Sequence, residues 1–302
     1  MAPKPGNFDW LSRAGCCFPN ARGAAGSGCG RPEGEGVYAA LAINKVDIRA
    51  EEMREVKKRR VQFIVPVHNE ESIVTRNIET LLHYGEGCDY PFDWLIHIVV
   101  NGSSDRTLEM VSSLGERFPN RVLVTNFPEP GRGSALKRAW LASDADVVMY
   151  MDVDLAVSLE HLTELVRPIL AGECDMVIGS RNLIDSKIKR SLLREVVSQS
   201  YNLLSRLILN HGFSDLQCGF KAVRMEVFKV IAPRLESTHW FFDTELVLWA
   251  KKHGFTTKEI PVDWSENRYE KRKSKVRLVR DSGKFFLDLL RLRFRMTRAV
   301  VR

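Results

Sequence analysis

The chain has 302 residues, 44% hydrophobic and 27% charged, with a formal net charge of +7. These values are ordinary for a soluble globular protein, and the length suits one large domain or one domain with tails. No apolar run reaches the roughly 20 residues that span a bilayer, and the N-terminus lacks the apolar core of a signal peptide, so a cytosolic protein is expected.

Taken in order, residues 1 to about 36 are rich in Gly, Ala, Pro and Ser ("GAAGSGCGRPEGEG") and read as a disordered tail. A short charged helix around "RAEEMREVKKRR" leads into the domain. "VQFIVPV" (61–67) is a strand, followed by a helix from Glu71 to about Tyr84. "WLIHIVV" (94–100) is the next strand, and "DRTLEMVSSLGERF" the next helix. "RVLVT" (121–125) precedes the loop "NFPEPGRG" and the helix "SALKRAWLAS". "ADVVMYM" is a buried strand ending at Asp152, followed by the helix "LEHLTELVRPIL" and the strand "CDMVIGS". Alternating strands and helices predict an α/β domain: a mostly parallel sheet flanked by helices, with the ligand beyond the carboxyl ends of the strands. The expected organisation is a tail and lead-in helix over 1–58, a catalytic domain over 59–270 and a basic amphipathic segment over 271–302.

Asp152 and Asp154 stand one residue apart at a strand end, so alternation points both to one side. Like charges so close repel, and a hard cation such as Mg²⁺ or Mn²⁺ is their natural partner, shared with substrate phosphates; a solvated loop is the plainer alternative. No dinucleotide fingerprint follows the first strand, and "GRGSALK" lacks the end of a P-loop. That Gly-rich turn suits close approach of a phosphate or sugar, but alone it reads as a tight turn. Cys16, Cys17, Cys29, Cys88, Cys174 and Cys218 show no C-x-x-C spacing, which argues against a zinc site or a disulfide framework. Cys174 and Cys218 are expected to pack.

Several strand-end motifs occur in a recognisable order: "VPVHNEE" (65–71), "VVNGSSDRT" (99–107), "GRGSALKRA" (131–139), "DVD" (152–154) and "GSR" (179–181). Together they resemble the nucleotide-sugar half of family 2 glycosyltransferases with the GT-A fold. "REVVSQSYN" (194–202), "DLQCGFKAVR" (215–224), "WFFDTEL" (240–246), "KEIPVDWSE" (258–266) and Ser274-Lys275 are similar to the polyprenyl-phosphate branch. Within it, dolichyl-phosphate β-glucosyltransferases are the nearest likeness and dolichol-phosphate mannose synthases the next. The resemblance covers roughly residues 60 to 295.

It implies that Pro66, His68, Asn69 and Glu70 line the base and ribose of the donor, supported by Asn101 and Asp105, with Gly131 and Gly133 in the Gly-rich turn. It implies that Asp152 and Asp154 hold the donor diphosphate through Mg²⁺ or Mn²⁺. Arg181, Arg194, Ser198 and Lys275 fall where the family contacts phosphate, with Lys221 and Arg268 less securely placed. Asp243 sits where relatives with hydroxyl acceptors carry a base; here it is either that base or the anchor of a phosphate-binding Arg or Lys. Trp240, Phe241 and Phe242 read as core, and Glu245 accompanies Asp243. The chain departs from the family at Val100 and Asn101, where two Asp are usual, and at Ala156, where mannose synthases often carry Gln.

The implied reaction is inverting transfer of a hexose from a nucleotide sugar, UDP-glucose before GDP-mannose, to polyprenyl or dolichyl phosphate. Transfer to a hydroxyl, with Asp243 as base, is the rival enzyme, and a nucleotide-sugar-binding regulator is the non-enzyme alternative. From Lys271 to Arg302 there are twelve Lys or Arg and two acidic residues, Asp281 and Asp288. Within it "KFFLDLLRLRFRM" suits either an anionic membrane surface or a helix packed on the core with a solvated basic face. The expected location is peripheral, at the cytoplasmic membrane face. A membrane-anchoring partner and a homo-oligomer both stay open, and no nucleic-acid motif accompanies the charge.

Overall fold

The computed structural model describes residues 58–189, 191–265 and 278–299. The expected N-terminal tail and lead-in helix therefore fall almost wholly outside the described residues, as do Arg268 and Lys275. Among the described residues, 59–86 and those from 92 onward form one compact unit, to which every element below belongs.

In the first half, strand and helix alternate: β1 (Arg60–Val67), α1 (Val74–Glu86), β2 (Asp93–Asn101), α2 (Thr107–Arg117), β3 (Val122–Phe127), α3 (Arg132–Leu141) and β4 (Val147–Met151). A 3₁₀ turn at Leu159–His161 leads into α4 (Leu162–Leu170), followed by β5 (Met176–Ser180), β6 (Lys187–Lys189) and α5 (Leu192–Leu209). The second half continues with β7 (Phe220–Arg224), α6 (Met225–Ile231), α7 (Phe242–Lys252), β8 (Thr257–Pro261), β9 (Asp263–Ser265) and α8 (Leu278–Arg298).

The main sheet has the order β3-β2-β1-β4-β7-β5-β8, and β6 pairs with β9 in a small separate sheet. Both faces of the central strands are covered, which is why β4 reads as an unbroken apolar run and β1 as one interrupted after Arg60 only by the buried Gln62. Pro66 lies past Ile64, where the pairing of β1 with β4 stops, a place where a strand tolerates the loss of an N–H. All pairings are parallel except those of β7, which runs antiparallel to both β4 and β5. That reversal brings the start of β7 to the carboxyl ends of its neighbours, with Met151 opposite Phe220 and Tyr150 opposite Lys221.

Helix α3 is fixed by Trp140, fully buried against Phe228 at 4.8 Å, Tyr150 at 5.8 Å and Phe242 at 6.1 Å between ring centroids. Burying such a side chain contributes roughly 2–3 kcal/mol. Its effect is positional, because Arg132 at the other end of the same helix is thereby aimed at the end of β4. Helix α8 divides its apolar residues: Leu289 and Leu292 are fully buried, whereas Phe286, Leu287, Leu290 and Phe294 are exposed. It packs on α5 and α7. No helix among the described residues is long and apolar enough to cross a membrane.

Candidate active site

The ends of β1 and β2 are tied together before any ligand is considered. His68 donates from Nδ1 to the Asn101 carbonyl at 2.8 Å. Asn101 is buried and donates to the Val67 carbonyl at 2.8 Å. Asn69 adopts φ 51°, a left-handed conformation that Asn tolerates, and its Oδ1 accepts from the Ser104 N–H at 2.7 Å. The Glu70 N–H donates to Thr107 Oγ1 at 2.8 Å. Asp105 accepts from the backbone of Glu71 and Thr107. Burial pushes the Asp105 carboxyl up, but the hydrogen bonds from Thr107 and Glu71 outweigh it and leave the group below its usual range. The expected donor pocket is thus a cross-linked pair of loops at adjacent strand ends.

β4 stops at Met151, so Asp152 and Asp154 are placed by a turn and not by strand alternation: the Leu155 N–H bonds to the Asp152 carbonyl, and Leu155 has φ 50°. Asn77 of α1 clamps the turn through the Val153 carbonyl at 2.8 Å. Val153 and Leu155 are buried while both aspartates are half-buried. Asp154 Oδ1 accepts the Ala156 N–H at 3.1 Å. A Cβ on Gly219, at the start of β7, would overlap Asp152 Oδ2; only glycine leaves that carboxylate its place.

The sequence reading missed Arg132. Its guanidinium donates from Nη2 to Asp152 Oδ1 and from Nη1 to Asp243 Oδ2, each at 2.9 Å. Burial would lower the Arg132 pKa, but the charges of Asp152 and Asp243 reverse this and keep it a cation. Asp243 is 2% exposed and accepts from Lys221 Nζ at 2.8 Å on its other oxygen. Lys221 is fully buried and also donates to the Cys218 carbonyl and, at 3.4 Å, to the Tyr150 hydroxyl. Burial raises Asp243 to about 6 against the opposing charge of Arg132, and burial lowers Lys221 to about 7. Of the two roles open to Asp243, the anchoring of cations is the one its contacts display.

A second braced cation stands at the end of β5. Arg181 donates from Nε at 2.7 Å and from Nη2 at 3.0 Å to Asp215, which is completely buried. Desolvation opposes ionisation of Asp215, but Arg181 prevails and holds it at about 2. Behind the pair, Glu259 accepts from the Ser214 N–H and hydroxyl. Asp215 and Glu259 lay within quoted motifs but had no assigned role, because nothing local marks the partner of a charge 34 residues away.

The profile described as "Glycosyl transferase family 2" matches residues 62–232, more than half of the chain. The chain belongs to that glycosyltransferase family. AglD of Haloferax volcanii is 36% identical over 242 residues, 78% of this chain and 37% of AglD, so the chain spans little more than a third of that relative. ALG5D of Trichomonas vaginalis, named a dolichyl-phosphate beta-glucosyltransferase, is 30% identical over 241 residues, 77% of this chain and 72% of the relative. Mannosyl-3-phosphoglycerate synthase from Rubrobacter xylanophilus shares the fold at TM-score 0.56 and 20% identity, over 82% of this chain and 77% of that one. Glucosyl-3-phosphoglycerate synthase from Mycobacterium tuberculosis, crystallised with Mn²⁺, UDP and phosphoglyceric acid, does so at TM-score 0.54 and 17% identity, over 82% of each. The fold is the GT-A arrangement expected from the sequence.

The remaining expectations for this family 2 chain divide. Arg194 and Ser198 both lie on α5, four residues apart and so on one helix face; the Arg194 side chain is outside the described residues. Of the two glycines expected beside the donor, Gly131 donates its N–H to Asn101 Oδ1 at 3.4 Å in the loops at the ends of β1 and β2, whereas Gly133 is closely packed against its own chain. The Gly133 N–H donates to the Thr238 carbonyl at 2.9 Å. A Cβ on Gly133 would meet Phe242 Cβ and the Ser237 carbonyl at 2.7 Å. Glu245 does not join Asp243: it accepts from the backbone of Glu236 and Ser237 and from Arg295 of α8. Phe241 and Phe242 are core as expected, whereas Trp240 is half-buried with the Arg132 guanidinium 5.0 Å from its ring centre. Cys174 and Cys218 are buried and unpaired.

Proposed function

We propose that this chain transfers a hexose, with inversion, from a nucleotide sugar to a polyprenyl phosphate of the dolichyl type. UDP-glucose is the first donor and GDP-mannose the alternative. The observation that carries the reading is the engagement of Asp243 by Arg132 and Lys221. Burial makes this carboxylate more basic, but each of its oxygens is already held by a cation, so neither is presented to a sugar hydroxyl. A lipid phosphate needs no such base, since a monoester's second pKa is about 6 and its oxygen is anionic at neutral pH. The name of ALG5D, a dolichyl-phosphate beta-glucosyltransferase, points the same way.

In this reading the β1 and β2 loops, with Pro66, His68, Asn69, Glu70, Asn101 and Asp105, receive the base and ribose. Asp152 and Asp154 fit a divalent cation by the chemistry of their donor set: two hard carboxylates, both half-buried, one of them already drawing the cation Arg132. Among the described residues no group of three His, Cys, Asp or Glu could hold a metal unaided, so donor phosphates and water complete the set. Mg²⁺ or Mn²⁺ held by Asp152 and Asp154 would supply positive charge against that growing on the leaving diphosphate. Arg181 meets the acceptor phosphate; its pairing with Asp215 uses Nε and Nη2 and fixes the guanidinium plane. Arg194 and Ser198 supply further phosphate contacts from α5, and Lys275 and Arg268 are placed there by resemblance. Positioning an anionic nucleophile against the sugar accounts for most of the rate.

Part of the same reading is a peripheral position at the cytoplasmic face of a membrane. The exposed Phe286, Leu287, Leu290 and Phe294 of α8 alternate with Arg291 and Arg293, and α5 exposes Leu203 and Leu207. Apolar residues flanked by cations suit an anionic lipid surface.

The test is transfer of radiolabel from UDP-glucose or from GDP-mannose to a polyprenyl phosphate, with Mn²⁺ or with EDTA. Organic-extractable label from UDP-glucose, lost with EDTA, is expected. A preparation that binds nucleotide yet gives no extractable label from either donor refutes the reading and returns Asp243 to candidacy as a base.

A further inference from the structure

Arg132 has no place in the chemistry proposed above, yet it is a tightly held cation beside it. Its side chain is 10% exposed, with its guanidinium 4.9 Å from the centre of the Tyr150 ring and 5.0 Å from that of Trp240. Its fork is divided between two carboxylates, Asp152 Oδ1 and Asp243 Oδ2. A fixed positive charge therefore already rests on a carboxylate that the proposed function gives to a divalent ion. Two cations sharing one carboxylate repel each other, the more so where water is partly excluded.

We propose that Arg132 is a built-in competitor for Asp152. It keeps the affinity of the donor-free protein for a divalent cation low, and so makes metal binding conditional on the diphosphate of the donor. Asp243 makes the exchange feasible. When the guanidinium gives up Asp152 it retains its other carboxylate, so no buried cation is stranded without a partner. The incoming diphosphate brings the negative charge that lets ion and guanidinium stand near one another. Arg132 is on this account a positioning residue acting through Asp152, and the inference rests on the metal reading above.

The experiment measures Mn²⁺ binding to the full chain through the electron paramagnetic resonance of the free ion, with and without UDP. It uses wild type, Arg132→Gln, Arg132→Lys, Asp243→Asn and Asp152→Asn, and UDP binding by calorimetry reports a folded site in each. For wild type, UDP is expected to tighten Mn²⁺ binding tenfold or more. Arg132→Gln is expected to bind Mn²⁺ without UDP about tenfold tighter than wild type, about 1.4 kcal/mol, and to show a smaller effect of UDP. Arg132→Lys keeps the charge and stays near wild type. Asp243→Asn leaves Arg132 only Asp152 to pair with, and is expected to weaken Mn²⁺ binding several-fold in the presence of UDP. The opposite signs separate competition from a structural role, which would weaken binding in both. If Arg132→Gln fails to fold, Arg132→Met, which keeps the length of the side chain against Tyr150 and Trp240 without its charge, takes its place with the same expected tightening.

Mn²⁺ affinity that is unchanged or weaker in folded Arg132→Gln, or unweakened in Asp243→Asn, overturns the inference. Mn²⁺ that binds wild type, is lost in Asp152→Asn and is indifferent to Arg132 overturns this inference alone. Mn²⁺ that binds wild type in neither condition overturns the metal reading together with it.

Discussion

Replacing Asp215 by Asn tests the bracing of Arg181 in numbers. The folded carboxyl titrates at about 2, whereas an unfolded Asp titrates near 3.9. Between those values the unfolded chain binds more protons, so the associated stability is fully present above about pH 4 and lost as pH falls through about 2. A gap of about two pK units corresponds to roughly 2.5 kcal/mol. Arg181, with a side chain 14% exposed, would lose its carboxylate where water can only partly replace it, and the total becomes roughly 2–4 kcal/mol. Urea unfolding of wild type and Asp215→Asn checks this at pH values from about 7 down to about 3. The expected difference is constant down to about pH 4 and shrinks below it. A difference under about 1 kcal/mol near pH 7, or one that does not shrink on acidification, refutes the reasoning. In the transfer assay the same variant is expected to lose at least about tenfold in kcat/KM, because the guanidinium is no longer held in one plane.

Gly219→Ala is expected to separate folding from function. The added Cβ meets only the end of the Asp152 side chain, so unfolding should shift by less than about 1 kcal/mol, while displacement of that carboxylate lowers transfer by about 100-fold. Gly133→Ala should do the reverse to folding: its Cβ meets the Ser237 carbonyl at 2.7 Å and the His239 carbonyl at 2.8 Å, and calorimetry should show a loss of about 1–3 kcal/mol. Exchanging Phe286 and Leu290 together for Ser should weaken sedimentation with anionic vesicles at least tenfold and leave the melting temperature within a few degrees, since both side chains are exposed. Equal vesicle binding by that variant would remove α8 from the membrane reading.

The strands of the first half were legible because each is an apolar run between polar strand ends, and β1, β2 and β4 fall within a residue or two of their expected limits. The direction of β7 was not legible. "FKAVR" has the same composition whichever way it runs, and only its pairing with Val147–Met151 and Met176–Ile178 makes it antiparallel. The aspartates of D-V-D were found, but by a strand rule that ends one residue too early. Arg132 stood in plain view between two glycines that attracted the attention. Its meaning depends on Asp243, 111 residues along the chain, and on Trp140 holding its helix. A basic residue inside a tight glycine turn at a helix start is the signal that was available.

The reversed strand also ties the two halves of the site to a common pitch. Lys221 stands opposite Tyr150 on one side and Ile178 on the other, so its placement is specified by two hydrogen-bonded ladders at once. A shift of one residue would carry Lys221 to the opposite face of the sheet and move a neighbour into its place beside Asp243. It would also pull Gly219 away from Asp152. The spacing between Gly219 and Lys221 is therefore a ruler: a single insertion or deletion within it would misalign both the carboxylate and the cation together.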